Sequence, residues 1–409
     1  LTTSAATRAA PPRLWVILGA AAPFLVYALV RLFTTEVFAD AQRSVLLSLS
    51  GLAVAVQVSL GINGRQRQVL FWVLVASLSL LGFYGLVNHL GWGSEHVLWA
   101  PRYPQYAGRA SGSYFCPDHF AGIMELLMCL ALAVIADRGR RAAVRWATAV
   151  AVVLAITGVI LSQSRGGGMA AVVILGAAMV WGVARWPRGV RWNLRLVAVS
   201  GSLLLLIGLS GFGGSYVERF VSYGGWTVAP GQKGGRMELL KKSLSHTSRG
   251  RMYGGAVRAW QTAPWVGIGP GMHQNIWPHV AATRDGDATI GKWPTLSNAS
   301  FHSYSVHSDW LQLLEEYGVV GIVLFMIPFC TVFVCLASMV AGWRPEALTG
   351  PAVGSFSHAV GAMLAFIAMA FHSLGDFNLQ MPATVWLFAA ILALGLNSRR
   401  EIQETQGIE

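Results

Sequence analysis

The chain of 409 residues is strongly apolar and poor in charge: 54% of its residues are hydrophobic, 12% are charged, and the mean hydropathy is +0.53. Soluble globular proteins contain about 25% charged residues, so this chain lacks the side chains that would cover a large soluble core. Lys and Arg outnumber Asp and Glu by 30 to 18, which gives a net charge of +12. The composition excludes soluble, disordered, collagen-like and disulfide-scaffold classes, and it predicts a polytopic helical membrane protein.

Apolar runs long enough to span a bilayer occur in both halves of the chain. A bilayer core of about 30 Å requires about 20 apolar residues in a helix. Runs of this size lie at residues 14–33, 44–61, 68–90, 115–136, 143–162, 166–184, 194–212, 319–342, 354–372 and 377–396. They predict an all-α transmembrane helical bundle with about 10–12 spans, ten without re-entrant segments. The runs at 166–184 and 377–396 are the weakest.

The polar stretch between the seventh and eighth runs divides the chain into three regions. We expect an N-terminal transmembrane bundle at residues 1–212 and a large outer loop with short helices at residues 213–318. A C-terminal bundle with a cytoplasmic tail then occupies residues 319–409.

The arginines orient the spans, because the cytoplasmic connections of membrane proteins are enriched in Lys and Arg. With a cytoplasmic N-terminus, most arginines of the short connections are cytoplasmic. The short outer connections then contain Arg31, Arg43, Arg102, Arg109 and Arg165. Four polar segments lie on the outer face in this orientation, at residues 91–114, 164–166, 213–318 and 372–382.

The first polar motif on the outer face is S-Q-S-R-G-G-G at residues 162–168. Arg165 either extends to the lipid headgroups or binds a ligand. Its hydroxyl and amide neighbours favour ligand binding, as do glycines that permit close approach of a backbone or a bulky headgroup. A guanidinium there, with Ser164 beside it, is suited to hold a phosphate through two parallel hydrogen bonds.

A second basic motif, S-R-G-R-M-Y at residues 248–253, begins a segment in which apolar residues recur at helical spacing. The segment is either an interfacial amphipathic helix with solvated arginines or a second phosphate clamp that faces Arg165. Its guanidinium groups belong to Arg249, Arg251 and Arg258. The glycine-rich stretch that follows lacks a P-loop lysine and follows no predicted strand, so it is not a nucleotide site.

Two histidines precede a short predicted helix that begins at residue 308 or 309 and ends at Gly318. His307 stands at the positive end of the helix dipole, which favours a neutral imidazole. It is either a structural histidine or a general base at the outer surface. His302, five positions upstream, is the alternative base.

The last outer turn, H-S-L-G-D-F-N-L-Q-M-P at residues 372–382, places His372 and Asp376 between two apolar runs. It is either only a polar turn or a group that orients the arginines or the base. Glu125 lies within an apolar run and is a further acidic candidate, because carboxylates buried in membranes are functional by default.

No metal centre is predicted, because His302 and His307 have no third ligand at a matching spacing. The cysteines lie in or beside apolar runs and form no C-x-x-C pair. We therefore expect packing roles for Cys116, Cys129, Cys330 and Cys335.

The order of these motifs resembles the O-antigen ligase and O-antigen polymerase superfamily of bacterial membrane glycosyltransferases. The shared pattern is S-x-S-R-G between two spans, an outer loop with R-x₁₂-P-x₂-G-x-G, and H-S-x-W-L-x-x-L-x-E-x-G leading into a span. It covers residues from about 160 to 396, and the N-terminal spans agree in hydropathy only. The closing H-S-L-x-D-F-N-L-x-x-P-A turn is similar to that of members from exopolysaccharide and O-antigen pathways.

The resemblance implies a GT-C type fold and an inverting glycosyltransferase without metal, nucleotide sugar or other cofactor. The donor would be a glycan on undecaprenyl pyrophosphate, and the acceptor a hydroxyl of a glycan or of the lipid A core. By motif position, Arg165 and Arg251 would hold the pyrophosphate, and His307 would activate the acceptor hydroxyl. We expect the rest of the substrate site to comprise Arg249, Arg258, His302, Ser164, Asp376 and His372.

Such an enzyme would lie in the bacterial inner membrane with its active face in the periplasm, in contact with membrane lipids and not with nucleic acid. A transporter or flippase is the alternative, but it should carry charges deep in several spans, whereas nearly all charges here lie at span ends. A receptor that displays residues 213–318 would not explain why Arg165 and Asp376 share the outer face.

Overall fold

The computed structural model describes residues 12–91, 95–137, 139–185, 248–281, 302–341 and 354–398. The α-helices of these residues are α1 Pro12–Thr34, α2 Phe38–Val56, α3 Gly64–Gly91, α4 Pro117–Ala136, α5 Ala142–Ser162, α6 Arg165–Arg185, α7 Ser248–Thr262, α8 His273–Val280, α9 Asp309–Ala341, α10 Ser355–His372 and α11 Pro382–Leu396. A π-helical turn, Gln57–Gly61, continues α2. Between α3 and α4 lies a small antiparallel hairpin of β1 His96–Val97 and β2 Ala100–Pro101.

Seven of the described helices are long and apolar enough to cross a membrane, namely α1 to α5, α9 and α10. Helices α6 and α11 have shorter apolar stretches, and they coincide with the two runs that the sequence marks as weakest. The predicted run at 194–212 lies outside the described residues. The predicted all-α polytopic bundle is confirmed, and the chain is a multi-pass membrane protein.

Helix α4 forms the centre of the bundle, where it packs against α3, α5, α6 and α10. Nearly all of its residues are buried, including Phe120, Leu127 and Leu130. A helix that is apolar on every side is expected at a core position. Leu80 of α3 and Val150 of α5, by contrast, are each 68% exposed, and such apolar surfaces face lipid in a membrane protein.

Helix α9 is broken at Gly318, whose backbone (φ 67°, ψ −170°) is not helical. The break confirms the predicted short helix that ends at this glycine and is followed by a span. The glycine-rich stretch at 264–271 docks at the break, where the N–H of Val319 donates to the carbonyl of Pro264 (3.0 Å). A Cβ at residue 318 would collide with the carbonyl of Trp265, so the close approach requires glycine.

The connections that the sequence assigns to one face meet at one end of the bundle, which we call the outer end. The N–H of Ala110 donates to the carbonyl of Leu161 (2.8 Å), which joins the α3–α4 connection to the end of α5. The N–H of Asp309 donates to the carbonyls of Ser373 and Asp376 (3.0 and 3.1 Å). The start of α9 is thereby fixed to the turn after α10.

Candidate functional site

A histidine–carboxylate pair lies at the outer end, at the junction of α9 and the turn after α10. His307 precedes α9 by two residues, and its Nδ1 lies 3.2 Å from Oδ1 of Asp376. Ser308 caps the helix, because its Oγ accepts a hydrogen bond from the N–H of Leu311 (3.3 Å). The cap and the backbone contacts of α9 with the turn hold the two partners of the pair together.

The contacts of His307 fix the orientation of its imidazole. Its backbone adopts the left-handed conformation (φ 60°), and the Tyr253 hydroxyl donates to its carbonyl (3.0 Å). The Phe377 ring meets the imidazole edge-on, with ring centroids 4.4 Å apart. When Nδ1 donates to Asp376, Nε2 of the neutral ring is left as an acceptor, and the side chain is 21% exposed. The ring can therefore accept a proton from a group at the outer end.

Asp376 is fully buried and negatively charged. Burial raises its pKa, but the hydrogen bond from His307 and the positive charge of nearby groups, including His119 and Arg249, hold the pKa of Asp376 well below its ordinary range. An ionised carboxylate fixes the imidazole tautomer and stabilises the imidazolium that forms when the ring takes up a proton. This geometry is that of a general base with an orienting partner.

A second carboxylate, Asp118 in the first turn of α4, joins the chain segments around this pair. Its two oxygens accept hydrogen bonds from Nη2 of Arg109 (2.7 Å) and Nη2 of Arg249 (3.0 Å). The Ser164 hydroxyl also hydrogen-bonds this carboxylate, and its Oγ accepts from the N–H of Gly167 (3.2 Å) at the start of α6. Three outer segments therefore meet at one carboxylate.

These groups form one polar cluster at the outer end. The polar cluster comprises Asp118, Ser164, Arg249, His307, His372 and Asp376. His372 belongs to it because its Nε2 lies 3.8 Å from Oδ2 of Asp376.

Arg165 and Arg251 flank the polar cluster. Arg165 is the first residue of α6, directly after Ser164, and it is half-buried. Arg251 is half-buried on α7, between Arg249, which bonds Asp118, and Tyr253, which bonds the carbonyl of His307. Both guanidinium groups therefore belong to the segments that build the outer end.

Arg258 and His302 make other contacts. The Arg258 guanidinium donates from Nε and Nη2 to the carbonyl of Val280 (2.9 and 2.7 Å) at the end of α8, and burial lowers its pKa. His302 is exposed and its ring packs on Tyr304, with centroids 4.6 Å apart. The structure thus pairs His307, not His302, with Asp376.

The sequence pattern places the α3–α4 connection on the outer face but gives it no role in the site. Arg109, Asp118 and His119 lie in or next to it, and the edge of the His119 ring contacts Phe377 (centroids 4.5 Å apart). The signal was the C-P-D-H sequence at 116–119, where ionisable residues begin a run that is otherwise apolar. The hydropathy of this run predicts a span with Glu125 as its acidic candidate and does not single out Asp118 or His119.

An apolar cavity of about 300 Å³ opens beside the polar cluster. Aromatic side chains of α9 and α10, including Trp310, Phe329 and Phe366, line it. At one end it reaches Asp309 and Ser373, next to the turn that carries Asp376. Apolar side chains of the bundle interior and residues of the outer end therefore line the same cavity.

The described residues contain no group of three or more His, Cys, Asp or Glu side chains arranged to hold a metal ion. The cysteines among them are free thiols. Burial raises the pKa of Cys116 to about 12, with the nearby carboxylates of Asp118 and Asp376 adding to the effect. This thiol is therefore protonated near neutral pH.

Comparison with known families identifies one relationship. Residues 150–326 match the family model described as O-antigen ligase. The matched segment contains Arg165, Arg251 and His307, and it confirms the resemblance to the O-antigen ligase and polymerase superfamily. The match supports glycan transfer in the membrane at the level of the family. No curated protein matches the chain significantly.

Proposed function

We propose that this chain, whose residues 150–326 match the O-antigen ligase family, is a metal-independent inverting glycosyltransferase. It transfers a glycan from undecaprenyl pyrophosphate to a sugar hydroxyl, which belongs either to another glycan or to the lipid A core. The observation that carries the proposal is the His307–Asp376 pair, which lies at the outer end together with the arginines of the family motifs.

In the proposed reaction, Nε2 of His307 removes the proton of the acceptor hydroxyl. The acceptor oxygen forms a bond to the anomeric carbon of the donor from the side opposite the pyrophosphate, and the bond from that carbon to the phosphate oxygen breaks. A single displacement of this kind inverts the anomeric configuration. Asp376 holds the proton-accepting tautomer and stabilises the imidazolium.

Arg165 and Arg251 hold the pyrophosphate in this proposal. Charge-assisted, bidentate hydrogen bonds from guanidinium groups neutralise the charge that develops on the leaving group. Arg249 is held by Asp118 and lies next to the same space. The two arginines thereby take the part that a divalent cation has in many phosphate-dependent transferases.

The lipid tail of the donor requires an apolar path from the membrane to the reacting carbon. The cavity beside α9 and α10 has largely apolar and aromatic walls, and its lining includes Ser373 and Leu379 of the turn that carries Asp376. A polyprenyl chain fits this chemistry, and a dry site limits competing hydrolysis.

A transporter or flippase is the competing function. A charged path through the bilayer would need ionisable groups at several depths. In the described spans, Asp118 and Asp309 lie within the first turns of their helices, Glu315 and Glu316 precede the break of α9 at Gly318, and Glu125 is buried within α4. Charges that lie mostly near the ends of the spans fit catalysis at a membrane surface better than transport across it.

We assign the polar cluster to the periplasmic face of the bacterial inner membrane. The distribution of arginines supports this orientation, and lipid-linked glycans are used on that face in the family that the motifs resemble. The regions 1–212 and 319–409 then supply the transmembrane helices, and the region 213–318 is the periplasmic loop between them.

The test is turnover by the purified full-length chain in detergent. Lipid-linked glycan is supplied with either a glycan or a lipid A-core acceptor, with no added metal and with a chelator present. Formation of an inverted glycosidic linkage supports the proposal, and the productive acceptor separates polymerase from ligase. Donor binding without product, or loss of turnover with chelator and its rescue by a divalent ion, contradicts it.

A further inference from the structure

Glu125 and His372, the latter a member of the polar cluster, form a buried pair of ionisable side chains. Glu125 is in the interior of α4 and His372 is the last residue of α10, and both side chains are fully buried. Oε1 of Glu125 lies 2.8 Å from Nδ1 of His372. Ionisable groups inside a membrane span are costly and mark functional positions.

Carboxylates and imidazoles alternate from this pair to the outer surface. The other ring nitrogen of His372, Nε2, lies 3.8 Å from Oδ2 of Asp376. The other carboxylate oxygen of Asp376, Oδ1, lies 3.2 Å from Nδ1 of His307. Glu125, His372, Asp376 and His307 therefore form a series of neighbouring ionisable groups, in which the first three are buried and His307 is partly exposed.

The glycines of the S-R-G-G-G motif let the start of α6 pack against this series of residues. A Cβ at Gly166 would lie 2.9 Å from Cδ2 and Nε2 of the His372 ring. A Cβ at Gly167 would lie 3.3 Å from Oε1 of Glu125 and 2.7 Å from Cβ of Ala121. The motif thus brings the backbone of α6 against the buried pair, and this packing excludes water from it.

Other charged groups also face the central part of the series. Asp376 interacts with His119 and Arg249 as well as with the two histidines of the series, and His372 also experiences the charge of Asp118. Because His372 lies between the carboxylates of Glu125 and Asp376, its charged form balances two negative charges. Loss of Glu125 removes one of them.

We propose that Glu125 and His372 are a buried positioning pair for the His307–Asp376 couple. The pair holds a positively charged imidazole behind Asp376, so that this carboxylate stays oriented towards His307. This inference deepens the proposed function and rests on it. Both side chains are fully buried, so in this proposal His372 is a positioning residue and not part of the substrate site, and the effect of the pair on transfer passes through Asp376.

The first test is Glu125→Gln, which keeps the size of the side chain and removes its charge. His372 then loses its ionic partner, and the positive charge behind Asp376 is lost with it. His307 experiences a more negative surrounding and retains its proton to higher pH. We expect turnover to fall by about 10-fold and the acid limb of the turnover profile to move upward by about half a pH unit or more, with donor KM unchanged.

Two further variants separate positioning from a loss of folding. Glu125→Asp keeps the charge and should return the acid limb to its wild-type position. The His372→Asn variant should shift the limb like Glu125→Gln, and the double variant should shift it no further, because Glu125 acts through His372. If the acid limb of the double variant moved by the sum of the two single shifts, Glu125 would not act through His372, which would contradict the proposal.

The matched control is Glu316→Gln, which removes a different buried carboxylate. Glu316 accepts hydrogen bonds from the N–H of Gly271 (2.9 Å) and from Nε2 of Gln312 (2.9 Å). This substitution can lower the melting temperature in detergent, but it should leave the acid limb in place. An unshifted limb in Glu125→Gln, with active wild-type protein, overturns the positioning pair, whereas absence of wild-type turnover overturns the proposed function instead.

Discussion

At the scale of the residue, the proposed chemistry depends on the 3.2 Å contact between His307 and Asp376. The contact joins two residues of distant segments and directs Nδ1 of the ring to the carboxylate, so that Nε2 is available to the acceptor hydroxyl in the proposed reaction. Neither residue would be an effective base alone, because an unoriented imidazole samples both tautomers and several rotamers. Substitution of either partner therefore tests whether the pair has a catalytic role or only a structural one.

Asp376→Asn should lower turnover by about 10²-fold or more, because an amide stabilises neither the required tautomer nor the imidazolium. The pKa of Asp376 lies below its ordinary value of about 3.9. Its contribution to stability is therefore present above about pH 4 and is lost as the pH falls through the lowered pKa. Turnover of Asp376→Asn and of wild type, measured from pH 5 to 9, checks the expected loss of activity. Recovery of the variant to wild-type turnover at high pH would contradict the orienting role.

Arg165→Lys should lower turnover by about 10²–10³-fold, because lysine presents a point charge in place of a bidentate fork. Turnover is compared with that of Arg258→Lys, in which the replaced guanidinium bonds the carbonyl of Val280. Near-normal turnover of Arg165→Lys would show that this residue only extends to the lipid headgroups.

At the scale of the element, the helices could be predicted and their partners could not. Apolar runs locate the spans because a bilayer requires about 20 apolar residues in a helix. The contact of Asp118 with Arg249 joins residues 131 positions apart, and no local pattern specifies it. Arg249, Arg251 and Arg258 look equivalent in the sequence, and packing alone directs Arg258 to the end of α8.

Gly318→Ala should destabilise the outer end by about 1–3 kcal/mol, because residue 318 has φ of 67° and its Cβ would meet the carbonyl of Trp265. The melting temperature in detergent checks this prediction. Gly19→Ala is the matched control, since a Cβ at that position in α1 meets no atom within 4 Å. Equal melting of the two variants would show that the break in α9 tolerates a side chain.

At the scale of the whole molecule, the alternation of spans gathers the motifs at one end. Segments after α3, α5 and α10 and the segment before α9 meet there, although they are widely separated in the chain. The sequence predicted this common face from the arginine distribution. It did not predict that the first turn of α4 supplies Asp118 and His119, because the run that contains them is apolar overall.

The central claim is that His307 is the base and that the arginines hold the donor independently of it. The most direct measurement is sugar transfer together with binding of the lipid-linked donor, for wild type, His307→Ala and His302→Ala. We expect His307→Ala to lose turnover by about 10²–10⁴-fold while it retains donor binding, and His302→Ala to remain active. An inactive His302→Ala with an active His307→Ala, or normal transfer by both variants, would contradict the account.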